Sequence, residues 1–208
     1  MYVPAAFVET RPEFVARFIA SYPMAQLVTM TDEGLVATPL PLLYEPGADG
    51  SASLVGHVAR ANRQWAQASP TVEALAIFTG ANAYVSPNWY PSKSEHGKVV
   101  PTWNYETVHV RGQFVVHDEL DWKRALVTRL TRHHESQLAA PWAVEDAPPD
   151  YIAAMLNAIV GLEIRITSVL AKRKLSQNRP AADIAGTIDG LTQRGGPSAD
   201  VAATMRSL

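Results

Sequence analysis

Three short segments carry polar side chains suited to an anionic, aromatic ligand. The first is residues 56–62, Gly-His-Val-Ala-Arg-Ala-Asn, which offers His57, Arg60 and Asn62. This segment lies where a predicted strand gives way to a predicted helix, a place where free backbone amides and an arginine can bind a phosphate. The alternative is that Arg60 and Asn62 only cap a surface helix, and the residues alone leave both interpretations open.

The second segment is residues 98–105, Lys-Val-Val-Pro-Thr-Trp-Asn-Tyr. Lys98 can meet a phosphate, and Thr102 and Asn104 can hydrogen-bond the polar edge of a ring. Trp103 offers an apolar wall. The competing interpretation is a loop that aromatic side chains pin to the core.

The third segment is residues 172–180, which opens with the basic run Lys172, Arg173 and Lys174 and continues through Gln177. A basic run can contact nucleic acid, but it is more often the solvated end of a strand. The Ser-Gln-Asn trio that follows indicates a more ordered role.

Several kinds of chemistry are excluded or disfavoured. The chain has no cysteine, which excludes disulfides, zinc–thiolate sites, Fe–S clusters and thiol nucleophiles. His133 and His134 are adjacent on a predicted helix and point about 100° apart, so they do not make a convincing metal site. No dinucleotide-binding, Walker or nucleophile-elbow motif is present. The net charge of −2 gives no general attraction to nucleic acid or anionic membranes.

The elements that must position these segments are mostly short strands. A strand at 25–30, a turn at 31–34 and a return strand at 35–44 form a predicted hairpin. Pro39 and Pro41 lack N–H donors on the same side of the return strand, so that side must be an edge, a bulge or a ligand-facing stretch. Six to eight such strands with turn-like links favour a small antiparallel barrel over a doubly wound sheet.

The remaining chain alternates between one long irregular stretch and clear elements. Residues 87–104 form a predicted irregular segment, and 107–117 alternates as a half-buried strand. Helices are predicted at about 181–208, and one domain is predicted over 1–208. The chain begins without a signal-peptide pattern and holds no apolar run near about 18 residues, so a cytoplasmic protein without a membrane span is expected.

Together the segments resemble the PaiB family, also called FMN-binding negative transcriptional regulators. The resemblance rests on five motifs that occur in order: residues 1–4, 56–62, 84–90, 96–105 and 174–179. They span nearly the whole chain, and several are long enough to be specific. Asn88 is a small departure, because serine or alanine is more usual there in the family.

The resemblance implies a fold and a ligand. The family is similar to the pyridoxamine-phosphate-oxidase-like proteins, which implies a mostly β (α+β) antiparallel split β-barrel with peripheral helices. It also implies a homodimer with FMN at the dimer interface. From the placement of the histidines, no metal is expected. Carried over by position, the implied FMN-binding residues are His57, Arg60, Asn62, Lys98, Thr102, Trp103, Asn104, Lys174 and Gln177.

Three functions stay open at this stage. The family label implies a transcriptional regulator, although no helix-turn-helix is evident and DNA contact would depend on a basic surface around Lys172, Arg173 and Lys174. An FMN-dependent oxidoreductase of the flavin-reductase or pyridoxamine-phosphate-oxidase type is the alternative, with no substrate or proton donor indicated. A flavin carrier without turnover is the third.

Overall fold

The computed structural model describes residues 1–208 of the chain. The eight strands are β1 Val8–Glu9, β2 Met24–Thr31, β3 Gly34–Pro41, β4 Leu43–Pro46, β5 Ala52–Ala59, β6 Ala74–Val85, β7 Thr102–His117 and β8 Ile159–Lys174. The seven α-helices are α1 Pro12–Ser21, α2 Gln64–Gln67, α3 Ser92–His96, α4 Leu120–Glu135, α5 Pro149–Asn157, α6 Ala181–Arg194 and α7 Pro197–Arg206. None of these helices combines the length and apolar character that crossing a membrane requires.

The strands form one eight-stranded sheet in the order β3-β2-β6-β7-β8-β5-β4, with β1 paired to β8. The pairings of β2 with β3 and of β5 with β8 are antiparallel. β3 is the edge strand, which confirms one of the three explanations for Pro39 and Pro41. A proline at the edge costs no ladder hydrogen bond, because its missing N–H faces away from a neighbouring strand.

The predicted irregular segment 87–104 is more ordered than expected. It contains a 3-10 turn at Pro87–Trp89 and helix α3, and β7 begins at Thr102 rather than at 107. Thr102, Trp103 and Asn104 therefore lie on a strand and not in a loop. The polar side chains at the start of β7 do not show the apolar alternation that predicts a strand. Pairing with neighbouring strands, and not local propensity, determines where β7 begins.

One compact unit comprises Ile19–Phe78 and Val110–Val169. In it, α4 packs Leu126 and Leu130 against Val55 of β5, and α5 contributes Ile152 and Leu156 to a neighbouring cluster. Gly161 of β8 has no side chain because the ring of Trp122 on α4 occupies the space that a Cβ would need.

The other compact unit comprises Met1–Phe18, Thr79–His109 and Leu170–Leu208. Its apolar cluster joins Leu175 to the last two helices through Leu191 of α6 and Met205 of α7. Gly186 and Gly190, one turn apart on α6, receive Trp89, whose backbone and indole ring lie where Cβ atoms would otherwise stand. The C-terminal helices thus hold the 84–90 motif in place.

Candidate functional site

His57 lies on β5, opposite Gly161 of β8. Its Nδ1 is buried and has no hydrogen-bond partner. Burial lowers the pKa of the His57 imidazole below its usual 6.5, so the ring is neutral at pH 7 and Nδ1 can either donate or accept. A buried nitrogen without a partner is uncommon in folded proteins and indicates a position where a ligand or water completes the bonding.

Arg60 follows β5 directly and its guanidinium already has partners. It forms an ion pair with Asp118, and it also donates to the carbonyl oxygens of Asn157 at 2.7 Å and Ile159 at 3.2 Å. These contacts tie the end of β5 to the start of β8. The Arg60 side chain is 38% exposed and Asp118 is 52% exposed, so a phosphate that approaches Arg60 competes with a carboxylate already in place.

Asn62 has the local structural role that the sequence left open as an alternative. Its Oδ1 accepts a hydrogen bond from the backbone N–H of Gln64, the first residue of α2, at 3.0 Å. Its Nδ2 donates to Thr38 Oγ1, also at 3.0 Å. The side chain thereby satisfies one of the free amides at the start of the helix.

Lys174, at the end of β8, forms the centre of a second group. Its Nζ donates to Thr102 Oγ1 and to the backbone carbonyl of Trp103. Trp103 is 53% exposed and meets Tyr84 edge-on, with the ring centroids 6.3 Å apart. The structure thus brings a lysine and a hydroxyl together beside an exposed indole within one chain.

The charge on Lys174 has no carboxylate partner. Burial lowers the pKa of Lys174 below its usual 10.5, and the nearby positive charges of Lys172 and Arg179 lower it further. A half-buried cation that other cations repel and only neutral oxygens contact is a favourable place for an anion. An anion bound here would relieve that repulsion.

Asn104 and Gln177 brace the turn that follows β8. Asn104 is fully buried, and its Nδ2 donates to Ser176 Oγ at 3.0 Å. Gln177 accepts from the backbone N–H of Leu175 at 2.8 Å and donates to the carbonyl of Arg173 at 2.6 Å. Ser176 has φ of 68°, a left-handed conformation that costs free energy in a residue other than glycine. These contacts hold it there and fix the direction in which the turn leaves Lys174.

Lys98 stands apart from this second group. Its backbone N–H donates to His96 Nδ1 at 3.0 Å, and its exposed side chain makes no ion pair or hydrogen bond. Among the predicted residues of this unit, the structure therefore joins Thr102, Trp103 and Lys174 directly, and Asn104 and Gln177 shape their surroundings.

The basic run at 172–174 is not a solvated surface, and that interpretation is wrong. Lys172 is only 8% exposed and its Nζ lies 5.1 Å from the centre of the Tyr105 ring. Arg173 pairs with Glu106 at 2.6 Å and approaches Glu9. A DNA-contacting surface cannot be built on these two side chains, because both are buried and engaged.

Sequence reasoning missed three residues that contact the predicted site residues and limit how those residues can bind a ligand. They are Asp118 beside Arg60, Ser176 beside Asn104 and Tyr84 beside Trp103. Tyr84 and Ser176 lie in the motifs 84–90 and 174–179, but a motif does not show which side chains its residues contact.

The donor set fits a flavin mononucleotide in its chemistry. A phosphate needs a cation whose charge is available, which Lys174 supplies, and a tricyclic ring needs an open apolar face, which Trp103 supplies.

Comparison with known proteins agrees with this chemistry. The family described as "Putative FMN-binding domain" matches residues 1–168. The protease synthase and sporulation protein PAI 2 of Bacillus subtilis is 30% identical over 199 residues, which covers 96% of this chain and 93% of PAI 2.

Two solved structures share the fold. The FAD and heme binding protein from Mycobacterium smegmatis superposes with a TM-score of 0.56 at 19% identity, covering 86% of this chain and 78% of that one. A conserved hypothetical protein from Mycobacterium tuberculosis superposes with a TM-score of 0.57 at 13% identity, covering 86% and 94% of the two chains. These matches confirm the predicted mostly β, antiparallel split-barrel fold class. With the family match and the similarity to PAI 2, they place the chain in the PaiB-like family of FMN-binding-domain proteins.

Proposed function

We propose that the chain binds FMN and that it is a regulatory protein of the PaiB type whose function depends on the bound flavin. The uncompensated charge of Lys174 beside the open face of Trp103 carries the proposal. The proposed FMN-binding residues are the nine named from the sequence: His57, Arg60, Asn62, Lys98, Thr102, Trp103, Asn104, Lys174 and Gln177.

Different roles within that set follow from the contacts. Lys174 and Lys98 are the cations without a carboxylate partner, so they are proposed to hold the phosphate. Trp103 is proposed to cover an apolar part of the ring, and His57 to complete its bonding with a polar atom of the flavin. Asn104 and Gln177 are proposed as positioning residues, because they act through the turn at Ser176.

The similarity to PAI 2 supports the regulatory part of the proposal. When bound, FMN supplies reversible one- and two-electron chemistry. An FMN-dependent oxidoreductase is the second candidate, and the fold that the chain shares with the FAD and heme binding protein from Mycobacterium smegmatis supports it.

A homodimer is proposed as the assembled form. The outer face of the β2–β3 hairpin is apolar, and it includes Met24, Met30 and Leu35, which are 58%, 37% and 71% exposed. Met30 lies opposite Leu35, so the two side chains share this face. A second copy of the chain is the occupant that the family resemblance implies for this exposed apolar face.

The oligomer can be tested by light scattering after size-exclusion chromatography. Leu35→Glu should shift the mass from dimer to monomer, because a charge in an apolar interface is costly. Leu138→Glu is the control, since Leu138 is 55% exposed in a different segment. A monomeric parent protein, or a dimer that survives Leu35→Glu, would overturn the proposal.

The deciding experiment for FMN is the spectrum and mass of the small molecule released when purified protein is denatured. FMN in near one-to-one amount is the expected result. A colourless protein whose melting temperature does not respond to added FMN would contradict the proposal.

Two further measurements separate the candidate functions. Bleaching of the bound flavin by NADH or NADPH, with recovery in air, favours the oxidoreductase. A sequence-preferring gel shift that persists over a range of salt concentrations favours a regulator that contacts DNA.

A further inference from the structure

An open cleft of about 400 Å³ lies in the unit that contains Ile19–Phe78 and Val110–Val169. None of the nine proposed FMN-binding residues lines it. One side is the last two turns of α4, and the opposite side is β4 with the end of α1. The cleft therefore needs an explanation of its own.

The inner part of the cleft is apolar. Leu43 and Tyr44 line it with partly exposed side chains, and the lining residues Ile19 and Leu42 are almost fully buried. Concave apolar surface of this kind favours a hydrocarbon or aromatic group over water.

The rim is positively charged. Arg129 and Arg132 line it, with His133 beside them. Arg129 donates through Nε to Glu45 at 2.6 Å, which holds the guanidinium in place and leaves its two Nη groups without partners. The exposed guanidinium of Arg132 forms no ion pair or hydrogen bond, so no carboxylate compensates its charge.

The balance of charge selects the kind of anion. Two arginines and one glutamate leave a net charge of +1 at the rim, with His133 as a further polar group. A monoanion matches that charge, whereas a phosphate dianion would also face the Glu45 carboxylate.

The favourable interaction of cations with the C-terminal end of a helix accounts for some basic residues here, since Arg132, His133 and His134 all lie in the last turn of α4. That interaction does not require a cleft, nor an arginine held across it by a glutamate of another element. The combination of an apolar inner part, a fixed arginine and an unpaired arginine is the arrangement that recognises a carboxylate with an apolar body.

We propose that this cleft is a second small-molecule site, which binds an organic monocarboxylate through Arg132 and the free Nη groups of Arg129 and packs its apolar body on Leu43 and Tyr44. The site is independent of the proposed FMN site and stands whether or not FMN binds.

The test is calorimetric titration of the full chain, with and without FMN, using phenylacetate and hexanoate as probes. Phenylacetamide, hexanamide and inorganic phosphate are titrated in parallel. The carboxylates are expected to bind, and the neutral amides to bind at least about tenfold more weakly because they lose a charge-assisted contact.

Three variants locate the site. Arg132→Ala should weaken carboxylate binding about tenfold or more, and Glu45→Gln should strengthen it because Arg129 loses its competing carboxylate. Arg124→Ala is the matched control, since Arg124 is an exposed arginine of α4 that does not line the cleft.

Any one of four results would overturn the proposal. The first three are the absence of carboxylate binding up to about 10 mM, equal binding of acids and amides, and equal effects of Arg132→Ala and Arg124→Ala. Tight binding of inorganic phosphate in place of the carboxylates would also reject it.

Discussion

Arg60 and Lys174 are both positively charged residues of family motifs and candidates for phosphate binding, yet their surroundings differ. Arg60 faces the carboxylate of Asp118 and two backbone carbonyls. Lys174 contacts only a hydroxyl and a carbonyl, and its charged neighbours Lys172 and Arg179 are positive. The first charge is compensated within the protein and the second is not.

The difference decides what each residue can contribute to anion binding. A phosphate at Arg60 must displace or share the guanidinium with Asp118, so the gain from one contact is reduced by the loss of another. A phosphate at Lys174 removes a repulsion between cations, so the same contact contributes more. Whether a side chain's charge is already compensated within the protein is therefore stronger evidence for a bound anion than the type of residue in the motif.

The largest effect is expected from Lys174→Met. This change should weaken FMN about 10- to 100-fold, because a hydrogen bond to a charged group is lost. Riboflavin, which lacks the phosphate, should weaken much less. Fluorescence titration with both ligands measures the difference, and Lys93→Ala, at an exposed lysine of the same unit, is the control. Equal losses for FMN and riboflavin would contradict the assignment of Lys174 to the phosphate.

A smaller effect is expected from Arg60→Ala. FMN should weaken more than riboflavin, but by less than about tenfold, because Asp118 already compensates much of the arginine's charge. The melting temperature should fall, because the links from Arg60 to Asn157 and Ile159 are lost.

Asp118→Asn sharpens the same measurement. It frees the Arg60 guanidinium, so FMN affinity should rise if Arg60 binds the phosphate. It also removes the carboxylate that pairs at 2.8 Å with Lys123, which is only 1% exposed, so stability should fall. Unchanged affinity in both variants would mean that Arg60 has only a structural role.

The smallest effect is a dependence on pH. FMN affinity should decrease as pH rises through the lowered pKa of Lys174, because the lysine loses its charge there, whereas riboflavin affinity should not. Without ligand, the folded state binds fewer protons than the unfolded state between that pKa and 10.5, so stability should rise with pH in this range. Lys174→Arg should retain FMN affinity to higher pH, and an unchanged profile would contradict the role of Lys174.

Local patterns predicted the elements that depend on neighbouring residues. The β2–β3 hairpin follows from turn chemistry within 24–41, and the missing N–H donors of Pro39 and Pro41 gave an edge strand as one of three possibilities. The start of β7 at Thr102 was not predicted, because a distant strand determines it.

Contacts between distant residues were also beyond sequence reasoning. Asp118 lies 58 positions from Arg60, and Ser176 lies 72 positions from Asn104. Motif similarity selected Arg60, Asn104 and Gln177 as candidate binding residues, but it could not show that their hydrogen-bonding groups are already used inside the protein. No pattern of residue types records whether a side chain's charge is compensated.

Trp89 packs against α6, and this contact limits how far the protein can be shortened. The region that matches the family ends at residue 168, yet the helix that covers Trp89 begins at Ala181. A version trimmed to the matched region would end inside β8, lose Lys174 and leave the indole uncovered. The region that matches the family therefore ends before residues that the fold uses, so a fragment for experiments needs the complete C-terminal part.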